Sequence, residues 1–321
     1  MSINFSGVLL PITTPFTSGE EFDAAGLVSN LTKWNETGIT GYVLLGSTGE
    51  RVHLDQSEYI EVIETARQAI PESFTFIAGA GQHSTTGTIK EIERAAHAGA
   101  EAVLVITPSF YKSAITQEAL IRHYLAIADA SPVPVILYSM PELTGIKIAP
   151  ETAARFSEHQ NIIGMKDSSA DIAEFAKTVR QAPEDFALMI GNGTVLCDAL
   201  QAGARGGILA VACAVPTLCI EIYRSIQAGH IDRAKELQHQ LTPLARAVTK
   251  TYGIGGLKTA MGIAGFIGGG VRAPLQLPGE AATAEIAQLL NQANQALEQT
   301  PTEPAALAAS ESLLAHQGPD A

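Results

Sequence analysis

Short apolar runs recur along the first two thirds of the chain, at residues 7–10, 42–45, 74–78, 102–106, 133–137, 162–165, 186–190 and 207–211. Their centres lie roughly 29 residues apart, the length of one strand–helix–strand unit. Most are nearly continuous and rich in β-branched residues, as strands buried on both faces are. Helical patterns lie between them. Asp55-Gln56-Ser57-Glu58 has the form of a capping box, and Tyr59, Val62, Ile63, Ala66 and Ile70 then share one helical face. Pro150 stands where a helix would begin, and Gly38, Gly99 and Gly203 stand where helices would end. Eight strands alternating with helices predict an α/β fold, a closed (β/α)8 TIM barrel, over residues 1–215; an open doubly wound sheet is the alternative.

Beyond residue 215 the pattern turns helical. Residues 220–244 and 281–297 carry helix-period apolar positions, and the glycine-rich stretch 252–278 between them reads as irregular. Residues 216–299 are therefore expected to form a C-terminal helical extension. Residues 300–321, rich in Ala, Glu and Pro, read as a flexible tail.

A net charge of −13 argues against nucleic acid or an anionic membrane as partner. No apolar stretch approaches spanning length, and Met1 to Phe5 lack a signal-peptide pattern. Three irregularly spaced cysteines suit a reducing, cytoplasmic setting. The histidines show no HxxxH or HxH spacing, so neither a metal nor another cofactor is expected.

In a barrel, residues at strand C-termini converge on one mouth. They include Gly46-Ser47-Thr48-Gly49-Glu50, Gly79-Ala80-Gly81, Thr107-Pro108-Ser109-Phe110-Tyr111, Tyr138-Ser139-Met140-Pro141, Lys166-Asp167-Ser168-Ser169 and Gly191-Asn192-Gly193. Lys166 ends an apolar run. A lysine between apolar walls loses hydration, which disfavours its charged form, and a neutral amine can form a Schiff base. The alternative is a lysine that snorkels to solvent. Tyr138 reads as a proton shuttle or a packing residue, the serine and threonine turn as a carboxylate nest or a plain polar turn. Glu50 reads as a second acid or as a buried acceptor of loop amides. Gly79-Ala80-Gly81 lacks a third glycine, so no dinucleotide site is expected.

Taken together and in this order, Gly46-Ser47-Thr48-Gly49-Glu50, Tyr138-Ser139-Met140-Pro141 and Gly164-Met165-Lys166-Asp167-Ser168 resemble the dihydrodipicolinate synthase / N-acetylneuraminate lyase family of pyruvate-dependent class I aldolases. The resemblance runs from about Phe5 to Gln276. Ser131-Pro132-Val133-Pro134-Val135-Ile136-Leu137-Tyr138-Ser139, Tyr252-Gly253-Ile254-Gly255-Gly256-Leu257-Lys258 and Arg272-Ala273-Pro274-Leu275 look most like its 4-hydroxy-2-oxoglutarate aldolases.

The resemblance implies a cytoplasmic homo-oligomer, a tetramer or dimer, acting on a small 2-oxo acid. It implies that Lys166 forms the imine, that Tyr138 relays protons, and that Ser47 and Thr48 hold the carboxylate, with Gly191 and Ser139 as further substrate contacts. Four positions depart from the family's patterns. Many relatives carry a relay tyrosine where Phe110 stands, so Tyr111 either replaces it or the relay is absent. The synthases carry a carboxylate-binding arginine where Leu143 stands, and the neuraminate lyases carry acidic residues where Thr194 and Val195 stand. The expected reaction is cleavage of 4-hydroxy-2-oxoglutarate to pyruvate and glyoxylate. The alternatives are 4-hydroxy-tetrahydrodipicolinate synthesis, a sugar-acid aldolase or dehydratase, and a barrel that binds a 2-oxo acid without turnover.

Overall fold

The apolar runs become eight parallel strands: β1 Gly7–Pro11, β2 Gly41–Leu44, β3 Thr75–Ala80, β4 Ala102–Ile106, β5 Val135–Ser139, β6 Ile162–Asp167, β7 Ala187–Ile190 and β8 Gly206–Ile208. In the computed structural model, which describes residues 5–298, they pair in chain order and β8 closes on β1. The expected tail, 300–321, lies outside the described residues.

Continuous apolar strands are what a closed barrel needs, because alternate side chains face opposite ways and both sides are dry. Leu9, Val43, Ile77, Leu104, Ile136, Tyr138, Met189 and Ile208 fill the interior, with Phe5 joining the same cluster. Leu10, Leu44, Ala78, Val105, Leu137 and Met165 face the surrounding helices.

Those helices are α1 Ala24–Trp34, α2 Gln56–Ala69, α3 Thr85–His97, α4 Gln117–Ala130, α5 Pro141–Thr144, α6 Pro150–Phe156, α7 Ile172–Gln181 and α8 Leu196–Gln201. The capping box at Asp55 forms: its side chain accepts from Glu58 N at 2.9 Å and Glu58 accepts from Asp55 N at 3.0 Å. Pro150 opens α6.

Several boundaries differ from the sequence reading. β5 begins at Val135, past the two prolines. β8 stops at Ile208, and Ala210–Cys213 form a short 3-10 turn. The extension holds α9 Pro216–Gln227, α10 Ile231–Arg246, α11 Gly253–Ile263 and α12 Glu280–Glu298. Thus α11 is a regular helix inside the stretch read as irregular.

Its glycines stand for close packing. A Cβ at Gly255 would overlap the Gln276 carbonyl oxygen, and one at Gly256 would overlap the Tyr252 side chain. Tertiary contact has overridden helix propensity. At Gly262, on the exposed side of α11, an added Cβ meets nothing within 4 Å.

The two positions separate cleanly. Gly262→Ala is expected to raise stability by about 0.5–1 kcal/mol, the usual gain of alanine over an unconstrained helical glycine. Gly255→Ala is expected to lower it by about 1–3 kcal/mol, the usual cost of overpacking. Denaturant unfolding of both variants measures the difference. Equal effects would contradict the packing reading.

Candidate active site

Strand parity decides which side chains reach the mouth. Tyr138 pairs with Lys166, and Lys166 with Met189, in adjoining strands. Tyr138 and Met189 face the barrel interior, so Lys166 does too. Asp167 and Ser139, one residue on, face the opposite way. Ser139 is fully buried and its Oγ accepts from Ile148 N at 3.4 Å. Ser139, expected at the substrate, is turned from the cavity by period-two alternation, a signal the sequence already carried. Asp167 accepts from Ser169 N at 2.7 Å, and burial pushes its carboxyl pKa upward.

Lys166 is 4% exposed and lines the cavity over the mouth. Its Nζ lies 4.5 Å from the centroid of the Tyr138 ring. Among the described residues, no carboxylate lies within ion-pairing distance of that amine. Tyr138 Oη is 3.1 Å from Ser47 Oγ. Ser47, Thr48, Tyr138, Lys166 and Gly191 thus line one cavity.

Gly191 is there to leave room. A Cβ on it would overlap Ser168 Oγ and come within 2.7 Å of Lys166 Cε. Its amide donates to Asp167 O at 2.6 Å, which holds the end of β7 against β6.

The turn that presents Ser47 and Thr48 is held in a strained shape. Leu45 and Glu50, at its two ends, both have left-handed backbone angles, φ 55° and 52°. Thr14 Oγ1 donates to Gly49 O at 2.7 Å, and Gly49 N donates to Gly46 O at 3.1 Å. Glu50 does not accept from its own loop amides through its side chain. Its carboxylate meets Lys258 of α11, whose Nζ is 2.6 Å from Oε1. Lys258 and Arg272 belong to quoted motifs, but spacing alone gave no reason to bring either to this loop.

Tyr111 lines the cavity; Phe110 stacks against it edge-on at 5.0 Å and lies 5.8 Å from the His83 ring. Both aromatics are largely exposed, at 71% for Phe110 and 70% for Tyr111. Leu143 also lines the cavity and is 60% exposed. Arg246 and Lys250, at the end of α10 and in the π-helical turn Ala247–Thr251, reach the same cavity from the extension. π-helical turns are common where a helix serves a site. The cavity measures about 1750 Å3, since it runs on past β3 to Arg51, Gln82 and Glu91. Arg51 is engaged there, donating to Glu91 at 2.7 Å and to Gly81 O.

The described residues contain no group of three or more His, Cys, Asp or Glu side chains placed to hold a metal ion. His123 is a packing residue: Thr85 Oγ1 lies 2.9 Å from its Nδ1, and burial pushes its pKa down to about 4. No helix among the described residues is long and apolar enough to cross a membrane.

Against known proteins, residues 4–293 match the model of the dihydrodipicolinate synthetase family. The chain belongs to that family. It is a class I aldolase or lyase, the lysine Schiff-base type, acting on a small molecule. It is 34% identical over 279 residues to the 4-hydroxy-tetrahydrodipicolinate synthase of Methanopyrus kandleri, covering 86% of this chain and 92% of that one. It is 33% identical over 272 residues to the synthase of the same name from Methanothrix thermoacetophila, covering 84% and 91%. These relatives carry the synthase name, not that of a 4-hydroxy-2-oxoglutarate aldolase. Among solved structures, dihydrodipicolinate synthase from Bacillus anthracis superposes with a TM-score of 0.86 at 25% identity, covering 94% of this chain and 100% of that one. A prophage protein of the family from E. coli K12, solved in complex with pyruvate, gives 0.85 at 25% identity, covering 91% and 99%.

The crowding at Gly191 gives a test of geometry. Gly191→Ala is expected to lower kcat/KM about 100-fold, the scale of a misplacement near one ångström at reacting groups. Combining it with Ser168→Gly, which removes the hydroxyl that the new methyl would strike, is expected to recover part of the loss. No recovery, with both variants folded, would show that the methyl acts through something other than this overlap.

Proposed function

We propose that Lys166 forms a Schiff base with the ketone of a short 2-oxo acid and that the chain cleaves 4-hydroxy-2-oxoglutarate to pyruvate and glyoxylate. The observation that carries the first half is the buried Lys166 amine beside Tyr138, in a cavity and without a carboxylate to pair it. An amine so placed is not occupied by a structural ion pair and faces the space a ketone would fill. The family relative solved with pyruvate supports the same substrate class.

The steps follow from the groups present. The Lys166 amine adds to C2 and water leaves, giving a protonated imine. Tyr138, hydrogen-bonded to Ser47, gives its phenolic proton to the departing hydroxide, and the phenolate so formed takes the proton of the C4 hydroxyl. The C3–C4 bond breaks, its electron pair moves into the imine to form an enamine, and C4 departs as glyoxylate. Protonation at C3 and hydrolysis release pyruvate and the free amine. Ser47, Thr48 and the turn amides hold the inner carboxylate, as hydroxyls and backbone N–H groups do for an anion.

For the outer carboxylate, Ser139 is unsuited, since it faces away. Arg246 and Lys250 are the extension's two cations at the cavity, and we assign the role to them. Lys250 is already shared with Glu142 at 3.5 Å, which leaves Arg246 as the better donor. Leu143 supports the aldolase reading, because no guanidinium comes from the place where the synthases carry theirs. The names of the relatives favour a second reading, condensation of pyruvate with aspartate semialdehyde, in which Arg246 would take over the missing arginine's part. Exposure of Val52, Phe110 and Tyr111, at 80%, 71% and 70%, suits an oligomer that covers them and sets Tyr111 beside a neighbouring mouth.

Borohydride with pyruvate is expected to label Lys166, and Lys166→Arg is expected to take no label, since a guanidinium keeps the charge but forms no imine. Equal labelling of both sinks the Schiff-base assignment. Tyr138→Phe is expected to slow turnover by roughly 10²–10⁴-fold, the usual worth of a general acid–base group. The substrate is decided by kcat/KM for 4-hydroxy-2-oxoglutarate cleavage and for aspartate semialdehyde condensation on one preparation. A clear preference for the semialdehyde replaces the first reading with the second.

A further inference from the structure

Lys258 and Glu50 form an ion pair with side-chain exposures of 0% and 1%. Charges that deep are retained only when they are paired and hydrogen-bonded. Lys258 Nζ meets Glu50 Oε1 at 2.6 Å, donates to Gly270 O at 2.5 Å and lies 4.5 Å over the Phe16 ring. Glu50 Oε2 receives the Arg272 amide at 3.3 Å and lies 3.3 Å from His53 Nδ1. Arg272 stacks on Phe16 at 4.3 Å and pairs through both guanidinium nitrogens with Glu58 of α2. Asn30 of α1 exchanges hydrogen bonds with both backbone groups of Ile267, at 2.8 and 2.7 Å. The segment after α11 is therefore fastened to the same end of the barrel as the Ser47 turn.

That turn needs fastening. Two non-glycine residues in left-handed conformations bracket it, and such strain persists only where the surroundings over-determine it. Apolar side chains of similar volume often replace a buried ion pair at no loss of stability. What they would lack is direction: a carboxylate fixes the turn's last residue through two oxygens at once.

We propose that the Glu50–Lys258 pair is a positioning device, through which the C-terminal extension sets Ser47 and Thr48 in register with Lys166. Neither residue touches substrate; both act through the turn. This inference rests on the reading of that turn as the contact for the inner carboxylate.

The test uses the full chain and pyruvate as probe. The concentration giving half-maximal borohydride labelling of Lys166 is read by intact mass, beside the melting temperature, for the parent, Glu50→Gln, Lys258→Met and the double variant. Each single change leaves one buried charge unpaired and is expected to lower the melting temperature. The double variant removes both charges and is expected to regain most of it. Half-saturating pyruvate is expected to stay about tenfold or more above the parent in the double variant, the scale of losing a charge-assisted hydrogen bond. A half-saturation that follows the melting temperature back to the parent value overturns the proposal, because a merely structural pair behaves so. A single variant that fails to fold leaves the decision with the double. A parent that takes no label at Lys166 overturns the reading of the site itself, a result the variants cannot mimic.

Discussion

Closure of the sheet is the constraint on which everything else depends. β8 and β1 meet with Gly206 opposite Gly7, and a Cβ on Gly206 would overlap the backbone of Gly7. Only a backbone without side chain brings the seam that close. Once the ring is shut, register is fixed for every strand. Tyr138, Lys166 and Met189 then fall at matching positions on three adjoining strands. The inward apolar residues below them form a packed plug, not a pore. A lysine at the top of that plug has water on one side only. The chemistry of the mouth is thus a consequence of packing beneath it.

Among the described residues two lysines, Lys166 and Lys258, are buried, and the contrast between them separates structure from function. Lys258 is matched by Glu50, by a carbonyl and by an aromatic face; desolvation lowers its pKa, and the carboxylate works against that. Every polar direction of its ammonium is accounted for by the protein. Lys166 has an aromatic face and a cavity. The first arrangement finishes a fold. The second leaves the amine's remaining directions open to a ligand, and that is what a binding or reacting group needs. Burial alone would have scored them alike.

How far the sequence carried the reading follows from range. Period, capping and strand parity are local, and they placed the eight strands, the cap at Asp55 and Lys166 at a strand end. Parity also turns Ser139 from the mouth, since it lies one residue past the inward Tyr138. Helix α11 was misread because glycine content is a local signal, whereas the reason for Gly255 is the carbonyl of Gln276, supplied by tertiary packing. The partner of Glu50 was beyond reach for the same reason. Arg272 contacts it across 222 positions of chain, and no spacing rule spans that distance. What a single sequence hides is the set of contacts between the extension and the barrel.

Those contacts also bear on how specificity is divided in the mouth. The inner carboxylate of a 2-oxo acid would meet neutral donors on a strained, rigid turn, where directional hydrogen bonds away from bulk water discriminate strongly. The outer group would meet Arg246 and Lys250, which are exposed. Exposed ion pairs contribute only ~0–1 kcal/mol each and are screened by salt. Such cations attract an anion against the field of a chain carrying −13, but they discriminate weakly between one distal carboxylate and another. Leu143, beside them, adds an apolar edge and no donor. On the proposed reading, selection of the 2-oxo acid end would lie in the barrel, and the choice of the departing aldehyde would fall to a loosely held rim. A rim of that kind can be re-specified by a few substitutions without touching the strands.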